Sequence, residues 1–270
     1  AAPRQNRPAE SSGSSPSNGA SKSGNRRGAP ESSAPPPQPV TQGGLEQAIV
    51  ERPEELENYL ALSALHTAAG RLRDAEQVLR RALPVSGASL DVQEALEKAQ
   101  LNRSRAELAR LKKQASQQPG DEIEEKLSRA RRQNLRLELD VYASRAERYP
   151  EDLRLKYEVG NRMKKIGNFE EAIPYLDQAS ADPKHAAAAL IARGECLQQM
   201  KQYTAALKSY EEAVETTGES PPNVLHLALY RAATLAIGLK DTARAQNWLK
   251  KLLKIAPGYR DAAARLDKLG

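Results

Sequence analysis

The sequence has one cysteine, one phenylalanine and one tryptophan, and no long apolar run. A single thiol excludes a disulfide within the chain and leaves no thiolate cage for a metal. With aromatics at 4%, the Val, Ile, Thr and aromatic stock of a β-sandwich or barrel is missing. No window approaches the run of about 18 apolar residues that a membrane span needs. No glycine-rich phosphate cradle is present: Gly13 and Gly43-Gly44 are not followed by Gly-Lys-Ser/Thr. There is no Gly-x-Ser-x-Gly nucleophile elbow. The three histidines, His66, His185 and His226, share no ligand-like spacing, and Cys196 has no histidine placed to activate it. No catalytic residue, metal site or cofactor is therefore expected, and the chain reads as non-enzymatic.

What is abundant is the helix-forming set: Ala, Leu, Glu, Lys, Arg and Gln. The 270 residues carry 41 Lys and Arg against 35 Asp and Glu, a net charge of +6. Residues 1–43 supply half of it, with five basic and two acidic side chains. The rest is mixed in sign. Nucleic-acid binding would want clustered cations interleaved with stacking aromatics, so no nucleic-acid partner is expected. The same 1–43 stretch is rich in Ser, Pro and Gly, with runs such as Ser11-Ser12-Gly13-Ser14-Ser15 and Pro35-Pro36-Pro37. It has no apolar periodicity to offset its ordering entropy, and it reads as a disordered tail. The chain opens on Ala1-Ala2-Pro3 without Met, so it reads as a processed form or an excerpt, and no signal-peptide pattern is visible.

From Leu45 onward the chain repeats. Gly160, Phe169, Ala172 and Ala179 recur 34 residues later as Gly194, Tyr203, Ala206 and Ala213. With five residues inserted around Ser220-Pro221-Pro222-Asn223, Ala245 follows Ala206 by 39, with Leu249, Leu252 and Pro257 behind it. Upstream, Tyr59, Gly70, Leu72, Ala75, Leu79 and Ala82 share the internal spacing. Small residues at Gly160/Gly194 and Ala172/Ala206 would let paired helices approach closely. Phe169/Tyr203 and Leu176/Tyr210 would fill the space between successive pairs. Pro53, Pro150, Pro183 and Pro257 would stop helices. This 34-residue pattern resembles the tetratricopeptide repeat, a pair of antiparallel helices. The resemblance implies an all-α solenoid, covering 44–88 and 150–270, the latter with a terminal helix.

Residues 89–149 fit the repeat less well and read as a long charged helical hairpin. Leu90 to Gln117 is helical, Pro119-Gly120 breaks it, and Asp121 is expected to cap a second helix running to Tyr149, about 42 Å long. Ile123, Leu127, Ala130, Asn134, Leu137, Val141 and Ser144 form a heptad seam. Leu135, Leu139, Tyr142 and Ala146 form a second stripe. Two stripes call for two partners: the preceding helix and the repeat that follows.

Stacked repeats build a concave surface. In the resembled family the first helix of each pair lines it, at positions three before and one and four after the small residue. The resemblance thus implies a partner-binding face of Tyr157, Asn161 and Lys164, then Ile191, Glu195 and Gln198, then Tyr230, Thr234 and Ile237. One subfamily clamps a C-terminal carboxylate with Lys-x-x-Gly-Asn. Here Gly160-Asn161 matches but Tyr157 stands at the Lys position, so no such clamp is implied. The expected function is a protein-interaction scaffold or adaptor that takes a peptide or partner helix, without membrane insertion. The alternatives are a homo-oligomer assembled through 89–149, or a regulatory part of a larger protein. A cytoplasmic setting is expected, with a periplasmic or membrane-tethered one as the alternative. Trp248 is expected to pack on the terminal helix.

Overall fold

The computed structural model describes residues 41–216, 218 and 221–270. These form twelve α-helices and, among the described residues, no strand: α1 (Gln42–Glu51), α2 (Leu56–Ala68), α3 (Leu72–Ala82), α4 (Leu90–Gln117), α5 (Asp121–Arg148), α6 (Leu153–Ile166), α7 (Phe169–Ala179), α8 (Ala186–Gln199), α9 (Tyr203–Glu215), α10 (Pro222–Gly238), α11 (Thr242–Ile255) and α12 (Ala262–Asp267). Residues 1–40 of the expected tail lie outside the described residues. Its last part does not: α1 already begins at Gln42. Thr41 makes this possible, its Oγ1 accepting from the Gly44 amide at 3.2 Å. That cap offsets part of the roughly 1 kcal/mol that each helical glycine costs.

Every helix packs against its neighbours in sequence, α2/α3, α4/α5, α6/α7, α8/α9 and α10/α11 being the pairs. First helices also touch across pairs: α2 with α4, α6 with α8, α8 with α10. The core follows the same one-dimensional order. One cluster joins α1 to the start of α4, another α3 to α4, another α5 to α6, another α7 to α8, and the largest spans α8 to α12. Each pair therefore buries its apolar face on the next, as a solenoid must.

The close approach within a pair has a visible cause. An added Cβ on Gly160 would stand 2.7 Å from Cγ of Leu176, and one on Gly194 2.5 Å from Cε1 of Tyr210. Leu176 and Tyr210, both fully buried, thus fill the notch that the missing side chain leaves inside their own pair. This corrects the expectation that they fill the space between pairs. Tyr203 fills neither: it is 42% exposed. It opens α9, where the helix has not yet met its partner.

The turn inside each regular pair is built alike. Arg71, Asn168, Gln202 and Asp241 donate their amides to the carbonyls of His66, Met163, Leu197 and Ala236 at 2.9–3.0 Å. This closure needs a left-handed residue just before the donor. Gly70 and Gly167 supply it at φ 73° and 94°, but Lys201 and Lys240 adopt it at φ 62°. A side chain there costs about 1 kcal/mol. Lys240→Gly is expected to raise stability by about 0.5 kcal/mol, the relief being partly offset by the freer unfolded chain. A urea midpoint that falls in the variant would contradict this.

Two helices of 28 residues, α4 and α5, take the place of a regular pair. Asp121 is the first helical residue and not the cap; the cap position is Gly120, in extended backbone with no side-chain bond. The carboxylates of Asp121, Glu122 and Glu124 then fall in the first turn, against its free amides. The seam faces α4. Ile123 and Leu127 pack with Leu111 and Ala115 near the hairpin tip. Asn134 Oδ1 accepts from the Ser104 hydroxyl at 2.9 Å. Ser144, last in the seam, is exposed. The second stripe turns to α6, where Leu139, Tyr142 and Ala146 meet Leu155 and Val159. The seam is thus occupied within the chain near the hairpin tip and at Asn134, while Ala130 and Leu137 stay partly exposed.

Candidate partner-binding surface

The first helices α6, α8 and α10 stand side by side, and the nine residues singled out from sequence lie on them. They do not share one environment. Lys164 on α6 pairs its Nζ with Glu195 on α8, and Arg231 on α10 pairs with the other Glu195 oxygen at 2.6 Å. One carboxylate therefore ties three successive first helices together. Gln198, one turn beyond Glu195, accepts from the Tyr210 hydroxyl at 3.0 Å. Burial pushes that hydroxyl's pKa well up, with the Glu195 charge adding to it, so it stays a donor. Lys164, Glu195, Gln198 and Arg231 border a hollow of about 330 Å³, with Phe169 and Gln199 also in its lining. Asn161 and Thr234 are half-buried. Thr234 Oγ1 is buried with no hydrogen-bond partner among the described residues, and so is Nε of Arg231.

The other residues are turned elsewhere. Ile191 and Tyr230 are buried at 4% and 9% exposure, and Ile237 packs on the same C-terminal cluster. This corrects the expected exposure of Ile191 and Tyr230 on the partner face, whereas Ile237 is only half-buried. The reason for Tyr230 is the end of the chain. Its hydroxyl donates to Asp261 at 2.7 Å, its ring meets Tyr259 edge-on, and the Arg260 guanidinium lies 4.8 Å over it. Hydrogen bonds from Arg265 and then Tyr230 hold the Asp261 carboxyl below the usual range. Tyr157 is half-buried against the α7–α8 cluster, its ring 5.5 Å from that of His185. Burial, then Glu158 and Glu195, raise its hydroxyl pKa.

Sequence reasoning missed Arg231. By repeat register it stands where α8 has the buried Ala192, a core position. Its long stem carries the charge out to Glu195. It missed a second hollow too, of about 820 Å³, between α4 and the α5–α6 corner. There the Tyr149 hydroxyl donates across the gap to Glu94 at 2.8 Å. Cys196 is fully buried in the α7–α8 cluster, and burial pushes its thiol up to about 11, far from a working thiolate. Trp248 lies in the C-terminal cluster, onto which Leu266 and Leu269 pack. Among the described residues, no helix is long and apolar enough to cross a membrane.

Residues 187–218 and 227–259 match the family model of the tetratricopeptide repeat. The chain therefore carries tetratricopeptide repeats, and the matched segments are the α8/α9 and α10/α11 pairs. No curated protein matches the chain in sequence. Solved structures do. The C-terminal part of a TPR repeat-containing protein from Cytophaga hutchinsonii is 16% identical over 84% of this chain and 79% of that one, with a TM-score of 0.50. YrrB, a TPR protein with an unusual peptide-binding site, is 18% identical over 84% of this chain and all of its own, at 0.47. The Naa15/Naa10 assembly bound to HypK-THB matches at 15% over 84% of this chain and 36% of that one, at 0.48. At these identities the likeness is one of fold.

Proposed function

We propose that this chain of tetratricopeptide repeats is a non-enzymatic interaction scaffold that takes an extended peptide or a partner helix along its first helices. The observation that carries the reading is the polar row on α6, α8 and α10. Lys164, Glu195 and Arg231 cross three repeats, and beside them two donors, Thr234 Oγ1 and Arg231 Nε, are shielded from water without a partner. A shielded donor left unbonded costs about 1–3 kcal/mol. Thr234 and Arg231 are themselves only half-buried, so rotation of either side chain toward the groove would let a peptide carbonyl recover it. Half-buried Asn161 and Gln198 offer amides suited to the same extended backbone. YrrB, with its peptide-binding site, is a fold neighbour of this kind. The buried Tyr230 and Ile191, with the half-buried Ile237, belong to the C-terminal core.

The test is selection of random twelve-residue peptides on the full chain, followed by titration of the best binder. Lys164→Ala and Arg231→Ala are each expected to weaken it at least about tenfold, a loss of about 1.4 kcal/mol. Both side chains reach solvent, so melting should stay close to that of the parent. Unchanged affinity in both variants, or no selectable peptide at all, would sink the reading.

A further inference from the structure

The long hairpin leaves a third concavity, away from the polar row of α6, α8 and α10. It is a notch of about 790 Å³ between the α2–α3 turn and the α4–α5 hairpin, within the usual span of ligand clefts, about 300–1,000 Å³. It exists because α4 outruns α3: 28 residues against 11. Beyond the level of Gly70 the hairpin continues with a core of its own, made by α4 and α5 alone. The step between the two lengths is the notch.

Its floor is apolar, with Leu72, Ala130 and Leu137 among the lining residues. Its rim is arginine. Arg103 is committed to the buried Glu76 at 2.7 Å, and Arg110 to Glu107 at 2.7 Å. The others are not committed to carboxylates. The Arg71 guanidinium donates to the Gln42 amide oxygen at 2.8 Å, and neither it nor Arg73 makes an ion pair among the described residues. On α5, Gln133 lines the notch. Arg136, three residues on, flanks the lining without belonging to it; it is exposed and also without an ion pair among the described residues. The start of α3 and the flank of α5 thus bring uncommitted guanidiniums to one apolar step. Asp74 and Glu107 are the acids lining it, and Arg110 with Arg73 holds the Glu107 carboxyl below the usual range.

We propose that this notch is a second docking site, for an acidic protein segment whose leucine-like side chains sit on Leu72, Ala130 and Leu137 while its carboxylates meet Arg71, Arg73 and Arg136. Guanidiniums bind carboxylates in bidentate fashion, which suits such a segment. Nucleic acid fits worse, since no aromatic ring lines the notch for a base to stack on. The basic residues of 1–43 exclude that tail as the complementary occupant.

The probe is a fluorescein-labelled peptide, Glu-Glu-Leu-Glu-Glu-Leu-Leu-Glu-Glu, titrated into the full chain at about 0.15 M ionic strength and read by anisotropy. Saturable binding is expected. It should weaken at least about tenfold in Arg71→Glu/Arg73→Glu, and likewise in Arg136→Glu, which lies on a different helix and guards against a folding artefact in the first. Circular dichroism should be unchanged in both. Lys164→Ala should leave this binding as it is. Replacing the peptide's leucines by serine, or its glutamates by lysine, should abolish it. The proposal is overturned by wild-type affinity in both arginine variants, by equal binding of either altered peptide, or by displacement of the probe with oligothymidylate at matching concentrations. Absence of saturation up to about 1 mM would overturn it as well.

Discussion

Ala206→Arg is expected to unfold the C-terminal repeats, with a loss above about 4 kcal/mol. Ala206 is fully buried where α9 crosses α8, four residues before Tyr210, which fills the Gly194 notch. Arginine there must either push the two helices apart or leave its charge in an apolar cluster without a partner, and both costs are large. Ala172→Arg should act the same way at the α6–α7 crossing, where Ala172 is equally closed off. The control is Tyr203→Arg, on the same helix but 42% exposed. That change should stay within about 0.5 kcal/mol. The readouts are far-ultraviolet circular dichroism and urea unfolding. Native helicity and melting in both alanine variants would refute the register of the repeats.

The repeat was legible because it is written in small residues. Gly160, Gly194, Ala172 and Ala206 cannot be replaced where helices cross this closely, so their 34-residue spacing survives in the sequence while the surface varies. The two-striped α5 was legible for a related reason: Leu127 faces α4 and Ala146 faces α6, and each stripe keeps its own period. The capping of α5 was less so. Asp121 and Gly120 both suit a helix start, and only backbone geometry separates cap from first residue.

The candidate site was legible in part. Repeat register named Lys164, Glu195 and Gln198, which do border one hollow. It also named Tyr230 and Ile191, which do not. Register assigns a helix face, and cannot say whether a later segment covers it. Asp261 and Arg260 lie some thirty residues beyond Tyr230 and close over it. Arg231 escaped for the opposite reason, since a core position is assumed to hold a core residue. The arginine notch escaped because it arises from a difference between helix lengths, and no single motif records that.

The second large effect belongs to Arg162, which joins the long hairpin to the repeats after it. It is 7% exposed on α6. Its guanidinium lies 3.9 Å over the Tyr142 ring of α5 and pairs with Glu138 of α5 at 3.2 Å and with Glu158 of its own helix. Glu138 in turn holds Arg105 of α4 at 3.2 Å. Arg162→Met keeps the stem and removes the charge, leaving two carboxylates at a helix junction. Breaking a buried pair costs about 3–5 kcal/mol. Here Glu138 retains Arg105 and Glu158 is partly exposed, so about 2–3 kcal/mol is expected. The loss falls on one interface of a one-dimensional stack, so it should also uncouple the halves. Trp248, the sole tryptophan, reports α11 alone, whereas circular dichroism reports every helix. In the parent the two urea transitions should coincide. In Arg162→Met the dichroism midpoint should fall below that of the fluorescence. Adding Glu138→Gln should recover about 1 kcal/mol, because one stranded carboxylate is then gone. Coincident transitions at the parental midpoint in Arg162→Met would show that Glu138, Glu158 and Tyr142 hold nothing together, and that apolar contact of Ala146 with Leu155 and Val159 alone couples α5 to α6.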